Sequence, residues 1–255
     1  CLCGDPLPGS LPHSPLLLCQ SWTIKHQSLT FSSTSSRPRT GCNMSAGPSC
    51  LNDVYDRLWI QNQDIAQQTL KVPFLQHMQS GDLKADVYVR FMIQDINYLV
   101  KVTEMLKMMC ERNMSPDIYL FMVDRYKSYK KYADATLAEF NLSGVSEIKP
   151  IPAMEKYLSN YKTIMNEEEP IFFAVALLPC ERLWIWLANN LQENKSNAYF
   201  TWKTDNMQGH PEEHFRKLLD DHLKTTEQLQ RASKVFCQQM QNEHNFFGDC
   251  LQQNK

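Results

Sequence analysis

"IFFAVALLPCERLWIW", residues 171–186, is the stretch whose reading decides the fold. It sets eight strictly apolar residues, Ile171–Leu178, against a proline, a cysteine and a charged pair. There is no strand-like alternation, and the segment reads as a buried helix over about 170–191. Eight residues fall far below the roughly 18 to 20 needed to cross a bilayer, and no other segment approaches that length, so the chain is expected to be soluble, with no membrane partner. Pro179 removes a backbone hydrogen bond and crowds the preceding turn. The helix is therefore expected to bend there, with Cys180 at a point where freed backbone groups face a cavity. If the segment beyond the bend acts as a new helix N-terminus, its dipole lowers the thiol pKa and favours the thiolate. The plain reading of such a cysteine, an inert small hydrophobe, stands beside this one.

Outward from this segment the pattern stays helical. Val54, Leu58, Ile65 and Leu70 are spaced as helical turns, Pro73 and Ser80-Gly81-Asp82 punctuate a short piece, and Val87 to Leu106 carry a long helix to about Arg112. Ser115-Pro116-Asp117 opens another over roughly 116–140. Beyond the loop "NLSGVSEIKPIP" come helical segments near 153–165, 170–191, 197–206 and 211–252, the last with a break near Arg231. With no strand alternation and no repeat, the fold class is all-α: a single-domain bundle of seven to nine helices.

The 255 residues are 43% hydrophobic, enough for one domain with a sizeable core. A net charge of -2 and the absence of any basic run beyond Lys130-Lys131 exclude the footprint of a nucleic-acid binder and point to a small-molecule partner. Of nine cysteines, four lie in the first 43 residues and five are scattered without CxxC spacing, which fits reduced thiols in the cytoplasm rather than a disulfide framework. Residues 1–43 are rich in Ser, Pro, Gly and Thr and read as a disordered extension. Met44 looks like the natural start, leaving a helical domain over 44–255.

Polar residues embedded in apolar helical faces carry the functional signal, since burial costs free energy unless something satisfies them. In "FMIQDINYL" Asp95 and Tyr98 are three apart and point the same way, among Phe91, Met92, Ile93 and Leu99. Asp95 is either a structural hydrogen-bond partner of a neighbouring helix or a ligand group. In "QQMQNEHNFFGDC" Glu243 has Met240, Phe246 and Phe247 within a turn, from which it either faces the core as a proton donor with raised pKa or stays solvated.

Taken in chain order, these sets resemble the TenA (thiaminase II) family. "VPFLQHMQSGDLKADVYVRFMIQDINYL" is similar to the signature in which Pro-Phe, a Gly turn and a Gln-Asp-x-x-Tyr-Leu helix follow one another. "ALLPC", 176–180, is similar to the nucleophile motif, and "NEHNFF" stands where a glutamate is expected. The resemblance covers about 50–252. It implies a haem-oxygenase-like fold without haem and cleavage of the bond between a pyrimidine methylene carbon and a leaving base, as in thiamine. It makes Cys180 the nucleophile, Asp95 the partner of the ring's amidine edge and Glu243 the general acid/base at ring nitrogen. Tyr98 and Tyr157 lie against the ring, with Phe91 among the aromatic stacking faces. It also implies a homotetramer.

Two departures stand out. Val72 replaces the histidine of a His-Pro-Phe entry, and "TWKTDN" offers Trp202 but Asn206 where the family has a site tyrosine. The shorter Asn206 widens the space beside the leaving group, so an organic amine or thiol acceptor can compete with water, giving base exchange beside hydrolysis. "HPEEH" does not match HExxH, and Pro211 makes His210 a cap or loop residue, so no metal is assigned. No histidine lies in the first helix to hold haem, and no cofactor is expected. Two other classes stay open: a silent pyrimidine-binding module, and a cofactorless oxidoreductase like the pyrroloquinoline-quinone synthases, which needs a His/Arg/Lys-rich pocket.

Overall fold

The structure, a computed structural model, describes residues 53–192 and 194–251; the extension expected over 1–43 lies outside them. Among the described residues there are ten helices and no strand: α1 (Val54–Ile60), α2 (Gln63–Leu70), α3 (Pro73–Ser80), α4 (Ala85–Met109), α5 (Pro116–Glu139), α6 (Pro152–Glu167), α7 (Pro170–Asn190), α8 (Phe200–Asn206), α9 (Pro211–His222) and α10 (Thr226–Asp249). The all-α expectation holds, but the number exceeds seven to nine because two long segments are divided. Asn62 separates α1 from α2, its amide donating to the Leu58 carbonyl at 2.8 Å. The second break falls at Leu223–Thr225, not near Arg231. Thr225 and Gln228 form a capping box that starts α10, and Arg231 lies inside that helix on Glu168.

The start signals are mostly proline. Pro73, Pro116, Pro152, Pro170 and Pro211 each occupy the first turn of a helix, where the missing N–H has no intrahelical partner to lose. The end of α3 needs Gly81, whose φ of 80° is the left-handed conformation that a side chain disfavours. There the Asn197 amide donates to the Met78 and Gln79 carbonyls, both at 3.0 Å, and ties the loop before α8 to the end of α3.

At the centre α7 packs against α2, α5, α6, α8, α9 and α10, which explains its composition. It is long and apolar enough to pass for a membrane span, yet its apolar window is 83% buried inside the bundle. It runs through Pro179 as one helix, so the expected bend does not divide it into two. Successive residues on a helix turn by about 100°, and "CER" sends three side chains three ways. Cys180 faces α4, α6 and α10. Glu181 accepts from Arg125 of α5 at 3.2 Å, a pair buried on both sides. Arg182 binds the Tyr55 carbonyl at 2.7 Å and Asp56 at 3.0 Å, its guanidinium 3.9 Å from the centre of the Tyr55 ring, which fastens α1.

Removing one member of a buried ion pair strands the other charge. Arg125→Met is expected to destabilise the fold by roughly 3 kcal/mol in urea unfolding, and Arg125→Met with Glu181→Met to regain more than half of that loss.

Candidate active site

Four buried rows meet between α4, α6, α7 and α10, each at helical spacing: Phe91, Asp95 and Tyr98; Tyr157 and Tyr161; Leu177, Cys180 and Trp184; Gln239, Glu243 and Phe246. Cys180 is 3% exposed, Asp95 2% and Glu243 1%. Glu243 is held from both sides. The Tyr157 hydroxyl donates to one carboxyl oxygen at 2.5 Å, and the Trp184 indole N–H to the other at 3.0 Å. The Tyr98 and Tyr161 hydroxyls are 2.9 Å apart, and Tyr161 donates onward to the Ala176 carbonyl at 3.0 Å.

The aromatic lining is continuous. Phe91 stacks on Trp184, Phe246 and Phe247 with ring centres 5.9, 5.3 and 5.8 Å away. Tyr157 lies between Tyr98 at 5.1 Å and Tyr161 at 5.3 Å. Phe74, set by Val72 at the N-cap and Pro73 at the start of α3, closes on Phe91 at 4.8 Å. Offset rings of this kind present faces on which a planar heteroaromatic can stack.

Burial dominates the electrostatics. It raises the Glu243 carboxyl from 4.5 to about 7, against hydrogen bonds from Tyr157 and Trp184 and a smaller contribution from Cys180. Asp95 is pushed well up, first by burial and then by the charge of Glu243. Its Oδ2 atom is buried with no hydrogen-bond partner, which disfavours the structural reading of this residue. The Cys180 thiol is also pushed well up, by burial and then by Glu243, with Tyr98 opposing. This corrects the expectation of a dipole-lowered thiol: Cys180 sits inside a continuous helix, with no free N-terminus behind it. Burial also raises the hydroxyls of Tyr98, Tyr129, Tyr157 and Tyr161, with Cys180 the next cause for Tyr98, Tyr129 and Tyr161. Three phenols, of Tyr98, Tyr129 and Tyr161, thus lie within electrostatic range of the thiol.

The site residues read from the sequence thus come together, with one exception. Asn206 is buried, but its amide donates to the Trp202 carbonyl one turn back at 2.7 Å. The residue of α8 that reaches the cluster is Trp202, 5.5 Å from Trp184. Trp184, Tyr161 and Tyr129 were not singled out in the sequence, where aromatics at helical spacing look like ordinary core. His210 stands at the N-cap of α9 with its ring on Glu212 at 3.0 Å, and burial lowers the pKa of His214.

A family model described as TENA/THI-4/PQQC matches residues 59–253. The chain belongs to this family. The solved structures that resemble this TENA/THI-4/PQQC chain include a TenA homologue from P. horikoshii OT3, with 19% identity, a TM-score of 0.66, and coverage of 79% of this chain and 99% of that one. A TenA family transcription regulator from a Silicibacter species gives 14%, 0.67, 78% and 96% in the same order. A candidate TenA-like thiaminase from Sulfolobus solfataricus P2 gives 17%, 0.59, 77% and 95%. At these identities the likeness shows the fold. No match is found among curated proteins.

The raised carboxyl predicts a pH signature. The folded-state value of Glu243 is the higher one, so its contribution to stability is complete below about pH 4.5 and lost as the pH rises through about 7. Between about pH 5 and about pH 8 the parent is expected to lose roughly 2 to 3 kcal/mol of unfolding free energy relative to Glu243→Gln, measured by urea titration at each pH.

Proposed function

We propose that this protein is a thiaminase-type enzyme that cleaves the bond between the methylene carbon and the leaving base of thiamine or a related aminopyrimidine. The observation that carries the reading is the juxtaposition of three buried groups: Cys180, Glu243 raised to about 7, and Asp95 with an unpartnered Oδ2. An aminopyrimidine edge supplies the N–H donors that Asp95 lacks, and its ring stacks among Phe91, Tyr98, Tyr157 and Phe246.

A neutral aminopyrimidine is a poor electrophile, so the thiolate and the protonating carboxyl act together. Cys180 gives its proton to the Glu243 carboxylate. The thiolate forms a bond to a ring carbon while Glu243 passes a proton to ring nitrogen. Electrons returning from the ring expel the base, which leaves with the electron pair of the broken C–N bond. Water, or an organic amine or thiol, then bonds to the methylene carbon with loss of a proton, and the Cys180 thiolate departs. Because burial holds Cys180 as a thiol, its activation awaits the substrate.

A silent pyrimidine-binding module has no use for Cys180. The oxidoreductase alternative needs a cationic pocket, whereas the cation behind Cys180, Arg125, is paired with Glu181. The four free cysteines among the described residues fit a reducing compartment, and we place the protein in the cytoplasm as a homo-oligomer.

Loss of thiamine followed by mass spectrometry tests the reading. Cys180→Ala is expected to abolish turnover, a fall of at least a thousandfold, with the helical circular dichroism unchanged. Asp95→Asn is expected to raise the substrate Kd tenfold or more. Thiamine turnover retained in Cys180→Ala defeats the nucleophile assignment.

A further inference from the structure

Trp184 and Trp202 are buried indoles in contact, with ring centres 5.5 Å apart, and they differ in what their N–H groups meet. Trp184 donates to Glu243 at 3.0 Å. The Trp202 Nε1 atom is enclosed and has no hydrogen-bond partner among the described residues. An indole N–H is a donor only, and a buried donor without an acceptor loses its bond to water and gains nothing in exchange.

The Trp202 ring is not free to turn toward an acceptor, because α8 is fixed on both sides of it. Before it, Tyr199 donates to the Leu83 carbonyl and packs its ring on Tyr88 with centres 4.9 Å apart. After it, Lys203 donates to the Ala188 and Leu191 carbonyls at the end of α7, both at 2.6 Å. The Asn206 amide closes the turn on the Trp202 carbonyl itself at 2.7 Å.

A second unpartnered atom has the opposite sense. Phe91 stacks on Trp184 at 5.9 Å, and Asp95, one turn beyond Phe91 on α4, keeps its Oδ2 atom without a donor. The Phe91–Trp184 stack thus has an unmet acceptor at its α4 end and an unmet donor at its α8 end. A ligand that satisfies both carries an N–H at one place and an acceptor at another. The aminopyrimidine edge supplies the N–H for Asp95, and Glu243 takes a ring nitrogen, which leaves the Trp202 N–H for the other half of the molecule. Its counterpart there is uncharged, since the indole is a neutral donor and Lys203, the cation beside it in the chain, is engaged on α7.

We propose that Trp202 is a specificity-determining residue whose N–H donates to a neutral oxygen, a hydroxyl or a carbonyl, on the leaving base. In thiamine that atom is the hydroxyl of the hydroxyethyl side chain. The inference rests on the thiaminase reading and adds to it a choice among leaving bases. A base with a hydrocarbon side chain leaves the buried donor unpaired and is selected against. No bond is made or broken at Trp202, which acts through binding.

The test compares kcat/KM for thiamine with that for its deoxy analogue, in which ethyl replaces hydroxyethyl, in the full chain and in Trp202→Phe, with products followed by mass spectrometry. The parent is expected to prefer thiamine about tenfold, and Trp202→Phe to bring the preference within about twofold of unity. The ratio of the two substrates is insensitive to repacking around the smaller ring, which affects both alike. A parent that does not distinguish them overturns the proposal. So does a Trp202→Phe variant that keeps the parent's preference, the result that a packing role alone gives. If Trp202→Phe does not fold, the same ratio is read with 3-benzothienylalanine at position 202, whose sulfur replaces the N–H at nearly the same volume. Absence of thiamine turnover in the parent removes the thiaminase reading and this inference with it, whereas turnover with the wrong ratio removes only the role of Trp202.

Discussion

A carboxyl group enclosed at the centre of a helical bundle constrains everything around it. Glu243 on α10 is tolerable there because Tyr157 on α6 and Trp184 on α7 each give a hydrogen bond to one of its oxygens. Those two bonds bring three helices to a common point and fix their rotation about their own axes. With α6, α7 and α10 oriented in this way, Cys180, one turn before Trp184, can only face the same interior, and so can Tyr161, one turn after Tyr157. The chemistry of the site and the packing of the domain rest on the same side chains.

The face of α7 turned away from Glu243 shows how the helix is held in register. The buried Arg125 pair and the Arg182 clamp on Tyr55 and Asp56 grip it from two further directions. A rotation of α7 that withdrew Cys180 from the phenols would break both. The solved structures similar to this chain at 14 to 19% identity share its fold. Cores tolerate extensive substitution where volume and patterning are kept.

Much of this was legible in the sequence because its signals are local. Proline and glycine mark helix ends by their own backbone restrictions, and Asp95 and Glu243 stand out as charges on apolar faces. The motif around Cys180 and the Gln-Asp-x-x-Tyr-Leu helix sufficed to name the family. What escaped depends on contacts between distant segments. Arg125 and Glu181 are 56 residues apart, and nothing near either announces the other. Trp184 and Tyr161 look like core until their polar atoms are seen to meet a carboxylate and a carbonyl. Pro179 carries less than the dipole reading asks of it. A proline within a helix removes a single hydrogen bond, and α7 continues through it, packed against six other helices. The lowered thiol pKa depended on a restart at Pro179, and a helix that does not restart offers no dipole.

The apolarity of α7 has a consequence for synthesis. Three of the helices that cover it, α8, α9 and α10, follow it in the chain. As the polypeptide leaves the ribosome, α7 emerges with one flank bare and stays so until α10 has been made. For that interval the segment offers chaperones and the membrane-insertion machinery a hydrophobic stretch of spanning length. The charged Glu181 and Arg182 beside Cys180 weaken it as an insertion signal at the point where a lipid core would tolerate them least. The pair that orients the Cys180 helix in the finished protein is thus also the pair that interrupts its longest apolar run.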